Sequence, residues 1–295
     1  MTTTAIALEG LTVRYGQKTV VDDLHLDVPE GTVCGFLGRN GAGKTTTINV
    51  LMNMLKATAG EARVLGLDPV KDALELRRRI GYVADNPALY GWMKVREIAW
   101  FTGQFYDNWR QDKVDGLIER FGLDPEQKIK HLSKGMNAQL ALALALGHEP
   151  QLLILDEPAS GLDVVVRRDF LEGIIGLIQE EGRTVFLSSH LVHEVERIAD
   201  RVAIIEEGRL VTEGDIDTVK EGVKRVVVQL GEGRELQDIA GLRQMQGDGA
   251  QRLLTVEGYG DEQAAQIEAQ GGQILDVVDL GLEDAFVAYV GGEKA

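Results

Sequence analysis

The chain has 295 residues, 44% of them hydrophobic and 26% charged, a composition that excludes disorder and allows one large domain or two smaller ones. Its 31 Lys and Arg against 47 Asp and Glu leave a formal charge of −16, which excludes binding of DNA or RNA through a broad basic face. The single cysteine, Cys34, excludes an intrachain disulfide and a cysteine-built metal site, and it reads as a small buried apolar residue. The opening MTTTAIALEG lacks the basic and apolar regions of a signal peptide. No run approaches the roughly 20 apolar residues that span a bilayer.

Residues 6–14 and 20–28 alternate apolar and polar side chains around Tyr15-Gly16-Gln17-Lys18, so they are expected to pair as antiparallel strands. The apolar run 32–38 predicts a strand covered on both faces. A glycine-rich turn follows, and then Ile48, Leu51, Met52 and Leu55 at the spacing of an amphipathic helix.

From about residue 85 to 147 the pattern turns helical, with helices expected at 97–106, 111–121 and after Ser133. The stretch LALALAL (140–146) alternates as a strand would, but leucine and alanine favour helix and no β-branched residue interrupts them. Two apolar strands, 152–156 and 184–189, flank a helical segment at 164–181, the pattern of a parallel crossover. Residues 201–214 read as a hairpin turning at Glu207-Gly208. Beyond it, strands are expected at 223–230, 252–259 and 273–280, with helices at 261–270 and 282–290. Residues 221–295 carry fourteen acidic and six basic side chains, half of the net charge. The chain is therefore expected to divide into a domain of residues 1–221, with a helical subdomain at about 85–147, and a small α/β domain of residues 222–295.

Three motifs carry chemistry. Gly38-Arg39-Asn40-Gly41-Ala42-Gly43-Lys44-Thr45 matches G-x-x-x-x-G-K-[ST]. Glycines let backbone N–H groups converge on phosphates, the lysine meets the β- and γ-phosphates, and the hydroxyl ligates Mg²⁺. LLILDEP (152–158) is an apolar strand ending in Asp156 and Glu157. Beside a phosphate loop, the first carboxylate can hold Mg²⁺ through water and the second can polarise an attacking water. Leu132-Ser133-Lys134-Gly135-Met136 precedes a helix, where Ser133 and the Gly135 amide either cap the helix or face an anion.

In order and approximate spacing, Tyr15, the phosphate loop, LSKGM, LLILDEP, Ser160-Gly161-Leu162-Asp163 and Ser188-Ser189-His190 resemble the nucleotide-binding subunit of an ABC transporter over residues 5–220. The resemblance implies an α/β fold with an antiparallel β subdomain, a mainly parallel core sheet and a helical subdomain. It also implies ATP and Mg²⁺ as cofactors. Tyr15 would stack on adenine, Gly38 to Lys44, Thr45 and Thr46 would hold the phosphates, and Thr45 with Asp156 would hold the metal. Glu157 would be the general base, and His190 would contact the γ-phosphate. Ser133 and Gly135 would read the ATP of a second ATP-binding chain, identical or not, and Asp163 would serve that interface or the chemistry. Without the resemblance, Tyr15 is a strand-end aromatic, His190 a packing histidine, and Trp92, Trp100 and Trp109 pack or face a partner.

Two segments depart from the pattern. Asp85 stands where the family usually has a glutamine, or a glutamate in antibiotic-type exporters, facing the metal and the attacking water. The signature has Lys134 for its first glycine and Met136 for its glutamine. The LSKGM variant, residues 105–109 (FYDNW) and the ending LGLEDAFVAYVGG resemble the bacterial branch that energises export through separate membrane-spanning permeases, from the cytoplasmic face. The alternatives are a soluble ABC ATPase acting on ribosomes or nucleic acid, and a P-loop kinase or GTPase. The first usually needs a second cassette or a coiled-coil insertion with basic surface, and the second would lack both LSKGM and SGLD.

Overall fold

The computed structural model describes residues 3–291, leaving out 163–166, 168–169, 172–182, 232–233 and 248–249. The candidate Asp163 and most of the helix expected at 164–181 therefore lie outside the described residues; Arg167, Phe170 and Leu171, the part described, are helical. The chain divides into two compact units, residues 1–200 with 205–210, and residues 201–204 with 211–295.

In the first unit, β1 (Thr4–Tyr15) and β2 (Lys18–Pro29) form the expected antiparallel pair. A strand the sequence does not announce, β4 (Ala59–Val64), adds to the free edge of β1. Its residues AGEARV are mostly exposed and poor in β-branched side chains; the hydrogen bonds offered by β1 make it a strand, and local propensity does not.

The core sheet is built from β3 (Val33–Leu37), β5 (Ile80–Val83), β6 (Leu152–Asp156), β7 (Thr184–Ser189), β8 (Arg201–Glu206) and β9 (Arg209–Asp215), in the order β5-β6-β7-β3-β8-β9. Its first four strands run parallel. Every residue of β6 and β7 is buried, as expected of strands covered on both faces. Cys34 is buried within β3. Because the strands are parallel, the segments that follow β3, β5, β6 and β7 emerge at one edge, where α/β sheets place ligands.

The helices of this unit are α1 (Lys44–Leu51), α2 (Ala73–Arg79), α3 (Val95–Gly103), α4 (Gln111–Arg120), α5 (Lys134–Leu146) and the short α6 (Val192–Glu196). Helix α1 ends a turn earlier than expected, before Leu55, at Met52 and the left-handed Asn53. Helix α3 starts two residues early, where the Lys94 amide donates to Glu97 Oε2 at 2.9 Å. The alternating stretch 140–146 is helix, as propensity predicts. All seven of its side chains are buried, so no polar face exists to mark the helical period. Leu140 and Leu144 close a core with Met93, Val95, Ile98 and Val114. Trp109 packs against this cluster and donates to Gln111 Oε1 at 2.9 Å, whereas Trp92 and Trp100 are exposed.

The second unit contains α7 (Ile216–Glu221), β10 (Val223–Leu230), β11 (Leu242–Gln246), β12 (Gln251–Glu257), α8 (Asp261–Ala269), β13 (Gly272–Asp279) and α9 (Leu282–Val290). Its sheet is antiparallel throughout, in the order β11-β12-β10-β13. Val226, Val228, Leu254, Val256 and Ile267 form its core. Strand β11 was not foreseen: LRQMQ is almost wholly exposed and lacks the apolar alternation that marks a half-buried strand.

Candidate functional site

The turn after β3 brings Gly41 and Gly43 into left-handed backbone, with φ of +85° and +112°, a region closed to most side chains. This twist starts α1 directly at Lys44 and turns its amino end toward the edge of the sheet. Lys44 is 6% exposed. Its ammonium donates to the carbonyls of Gly38 at 2.6 Å and Arg39 at 3.3 Å, and it pairs with Glu157 Oε1 at 3.0 Å.

Asp156 and Glu157 leave the end of β6 beside it. Asp156 is 2% exposed and accepts hydrogen bonds from Thr45 Oγ1 at 3.1 Å and Ser188 Oγ at 2.7 Å. Burial pushes its carboxyl above the usual carboxylate range; the bonds from Ser188 and Thr45 oppose this, and the nearby charges of Glu157 and Asp85 add to it. Beneath it, burial and then the charge of Asp156 push the Tyr82 phenol up to about 12. The Thr45 hydroxyl and the Asp156 carboxylate are hard oxygen donors of the kind Mg²⁺ takes, one carboxylate at a time, with substrate phosphates completing its shell. Among the described residues, no group of three or more His, Cys, Asp or Glu side chains is placed to hold a metal.

Glu157 holds a left-handed φ of 47°, a conformation that costs a residue with a Cβ about 1–2 kcal/mol. Its amide donates to the Ser188 hydroxyl and carbonyl at 3.0 and 3.2 Å. Its two carboxylate oxygens face different partners: Oε1 the Lys44 ammonium, and Oε2 the His190 Nδ1 at 2.7 Å. The carboxylate is thus aimed by two side chains, and Ser188 fixes the backbone that carries it.

Lys44, Thr45, Glu157 and His190 line an open cleft of about 480 Å³, walled also by Asn40, Gly41, Thr46, Asp85 and Ser160, and the buried Asp156 is joined to it through Thr45. Lys44, Thr45, Asp85, Asp156, Glu157 and His190 therefore come together as the motifs require. Arg39 stands at the rim with its guanidinium 3.9 Å from Glu206, and Ala42 is buried. Of the described candidates, Tyr15, Gly38, Arg39, Ala42, Ser133, Gly135 and Asp156 do not line the cleft. Tyr15 ends β1 half exposed, Ser133 caps α5 by accepting from the Met136 amide at 3.2 Å, and Gly135 is buried in the first turn.

Sequence reasoning missed Ser188. The sequence marks it only as part of the Ser188-Ser189-His190 motif, yet its hydroxyl joins Asp156 to the Glu157 amide. The available signal was a pair of hydroxyl side chains ending an otherwise apolar strand, TVFLSS.

Comparison with known proteins agrees with this geometry. Residues 21–160 match the model of the family described as ABC transporter. The chain is 33% identical to the bacitracin transport ATP-binding protein of Bacillus licheniformis, over 98% of both chains. It is 35% identical to a daunorubicin resistance ATP-binding protein of Streptomyces coeruleorubidus, over 98% of this chain and 92% of that one. A solved ATP-binding subunit of an ABC transporter superposes with a TM-score of 0.68 at 26% identity, covering 74% of this chain and 92% of the other. With a phosphate loop, two carboxylates and a histidine converging in one cleft, and relatives matched along nearly their whole length, the chain belongs to the ABC transporter family as one of its ATP-binding, ATP-hydrolysing proteins.

Proposed function

We propose that this ATPase energises the export of an antibiotic-type compound through separate membrane-spanning permease chains, working at the cytoplasmic face of the membrane. Support comes from the relatives named for bacitracin transport and daunorubicin resistance. No helix among the described residues is long and apolar enough to cross a membrane, and the proposal assigns the spanning path to other chains. The single observation that carries the catalytic reading is Glu157 held between Lys44 and His190 beside a buried Asp156.

Lys44 and the amides from Gly38 to Thr46 bind the triphosphate. As the nucleotide enters, the Lys44 ammonium exchanges the Glu157 carboxylate for phosphate oxygens, which frees Glu157 Oε1 to accept a proton from the attacking water. His190 keeps Glu157 oriented and faces the γ-phosphate. Thr45 and Asp156 would hold Mg²⁺, which when bound would offset charge developing on the phosphates. Asp85, one methylene shorter than glutamate, would reach that metal only through water. Tyr15 stacks on the base.

The chain has one phosphate loop and one LSKGM segment. Ser133 and Gly135 therefore complete the site of a second ATP-binding chain, a copy or a paralogue, with Asp163 at the junction. Closure of that pair around ATP drives the permease through the helical subdomain at about 85–147, and hydrolysis resets it. Residues 222–295 act as an accessory domain, either regulatory or supporting the dimer.

Glu157→Gln tests the reading. It is expected to bind Mg-ATP, accumulate as a dimer on gel filtration and lose turnover by about 100-fold or more. Near-normal turnover in a monomer overturns the assignment of the base. Affinity purification of the native chain from membranes is expected to recover a permease; recovery of ribosomal RNA without one overturns the transport reading.

A further inference from the structure

Two of the residues that depart from the family pattern, Asp85 and Lys134, meet in the structure. Lys134 is the first residue of α5, and its ammonium lies 3.7 Å from Asp85 Oδ1, with the side chains 45% and 50% exposed. A third motif touches them. A Cβ built at Gly161 would stand 3.0 Å from Lys134 Nζ and 3.6 and 3.7 Å from its Cδ and Cε. The lysine stem therefore runs over the Ser160-Gly161 turn, where Gly161 has a φ of +69°. Asp85 and Ser160 both line the nucleotide cleft.

Each departure makes physical sense in the presence of the other. A glycine at position 134 has no side chain to reach position 85 or the turn at 161. A glutamine at position 85 would offer no charge to a lysine. A short carboxylate on the wall of a cleft that already holds Asp156 and Glu157 adds charge of the sign that repels a triphosphate, and a cation beside it both fixes and neutralises it.

We propose that Lys134 is a positioning residue: it holds Asp85 in place on the cleft wall and, lying across the turn at Gly161, ties the signature segment to the nucleotide site of its own chain. This rests on the nucleotide reading above. An exposed ion pair is weak and salt-sensitive, so its consequence is a severalfold change.

The test is a mutant cycle in the full-length chain with K134M, D85N and the double variant, K134R serving as the conservative control. ATP binding is measured by titration calorimetry in EDTA, and KM and kcat are measured with Mg-ATP. At low ionic strength K134M is expected to weaken ATP binding and raise KM about threefold to fivefold, with a smaller change in kcat, and K134R to recover most of the loss. In a D85N background the same K134M change is expected to have at least a threefold smaller effect, and the coupling to fade at about 0.5 M salt. A lysine serving merely as a nearby cation would act independently of residue 85. Effects that multiply, in variants that bind ATP and melt as the parent does, overturn the pairing while leaving the nucleotide reading intact. A native chain that binds no ATP overturns both.

Discussion

The nucleotide cleft and the C-terminal antiparallel sheet are built on opposite principles. In the cleft, Lys44, Asp156 and Glu157 are charged groups withdrawn from water, Glu157 has a left-handed backbone, and burial pushes the Asp156 carboxyl up. In the sheet, the interior is Val226, Val228, Leu254, Val256 and Ile267, and the charges stay outside as pairs such as Lys224 with Asp279 at 2.6 Å and Arg243 with Glu257. One region carries polar groups that cost folding energy unless each is held by a partner; the other gains it from apolar burial. The sheet thus obeys the ordinary rules of a stable fold, and the cleft departs from them where chemistry requires it.

The largest expected effect sharpens this contrast. Lys44→Ala removes the cation that the Gly38 carbonyl and Glu157 share and is expected to weaken ATP binding by about 100-fold, measured by equilibrium titration. A change below about threefold breaks the claim that the cleft is organised around that charge. Next, Leu254→Ala in the sheet is expected to cost about 2–5 kcal/mol by denaturant unfolding while ATP affinity stays within about twofold. An equal loss of affinity would erase the distinction between the regions.

Ser188→Ala leaves the Asp156 carboxylate and the Glu157 amide each short of a partner. It is expected to cost about 1–3 kcal/mol and to lower turnover more than it lowers nucleotide affinity. Asp156→Asn acts in the other direction on stability. Because burial raises the folded-state value, the native chain holds the Asp156 proton to higher pH than the unfolded chain, so ionisation erodes stability as pH rises above the ordinary carboxylate range. The asparagine variant is expected to melt about 2–4 °C higher near neutral pH, to show no gain at acid pH, and to lose Mg²⁺-dependent turnover. A lower melting temperature at pH 7 would show that Asp156 is stabilised in its charged form. The smallest effect belongs to the surface: Trp100→Ala, at a side chain 63% exposed, is expected to shift unfolding by less than about 0.5 kcal/mol. A larger loss would place Trp100 in the core of the helical subdomain.

Elements whose own residues carry a signal are the ones foreseen. The run 152–156 is apolar throughout and buried throughout, and the glycines of 38–43 fix the turn that begins α1. Strands β4 and β11 escaped because both are mostly exposed and owe their form to a neighbour's unpaired edge. Position 140–146 misleads by period and is rescued by propensity, since a helix buried all round has no face to report. In the site, Lys44, Thr45, Asp156, Glu157 and His190 were legible from motif and order. Ser188 was not, because its role is a bridge between two other residues.

The sequence by itself determined which side chains are the candidates for chemistry, since residue type and spacing within one loop or strand end set what a phosphate or a water can meet. Only the tertiary structure decided how those side chains hold one another. Lys44 and His190 on the two oxygens of Glu157, Ser188 beneath Asp156, and Lys134 against Asp85 are contacts between segments far apart in the chain. The parallel order β5-β6-β7-β3 brings those of the cleft to one edge, and the folding of α5 sets Lys134 beside Asp85. Local pattern carries no information about which strand ends become neighbours; that is settled when the buried strands choose their order in the sheet.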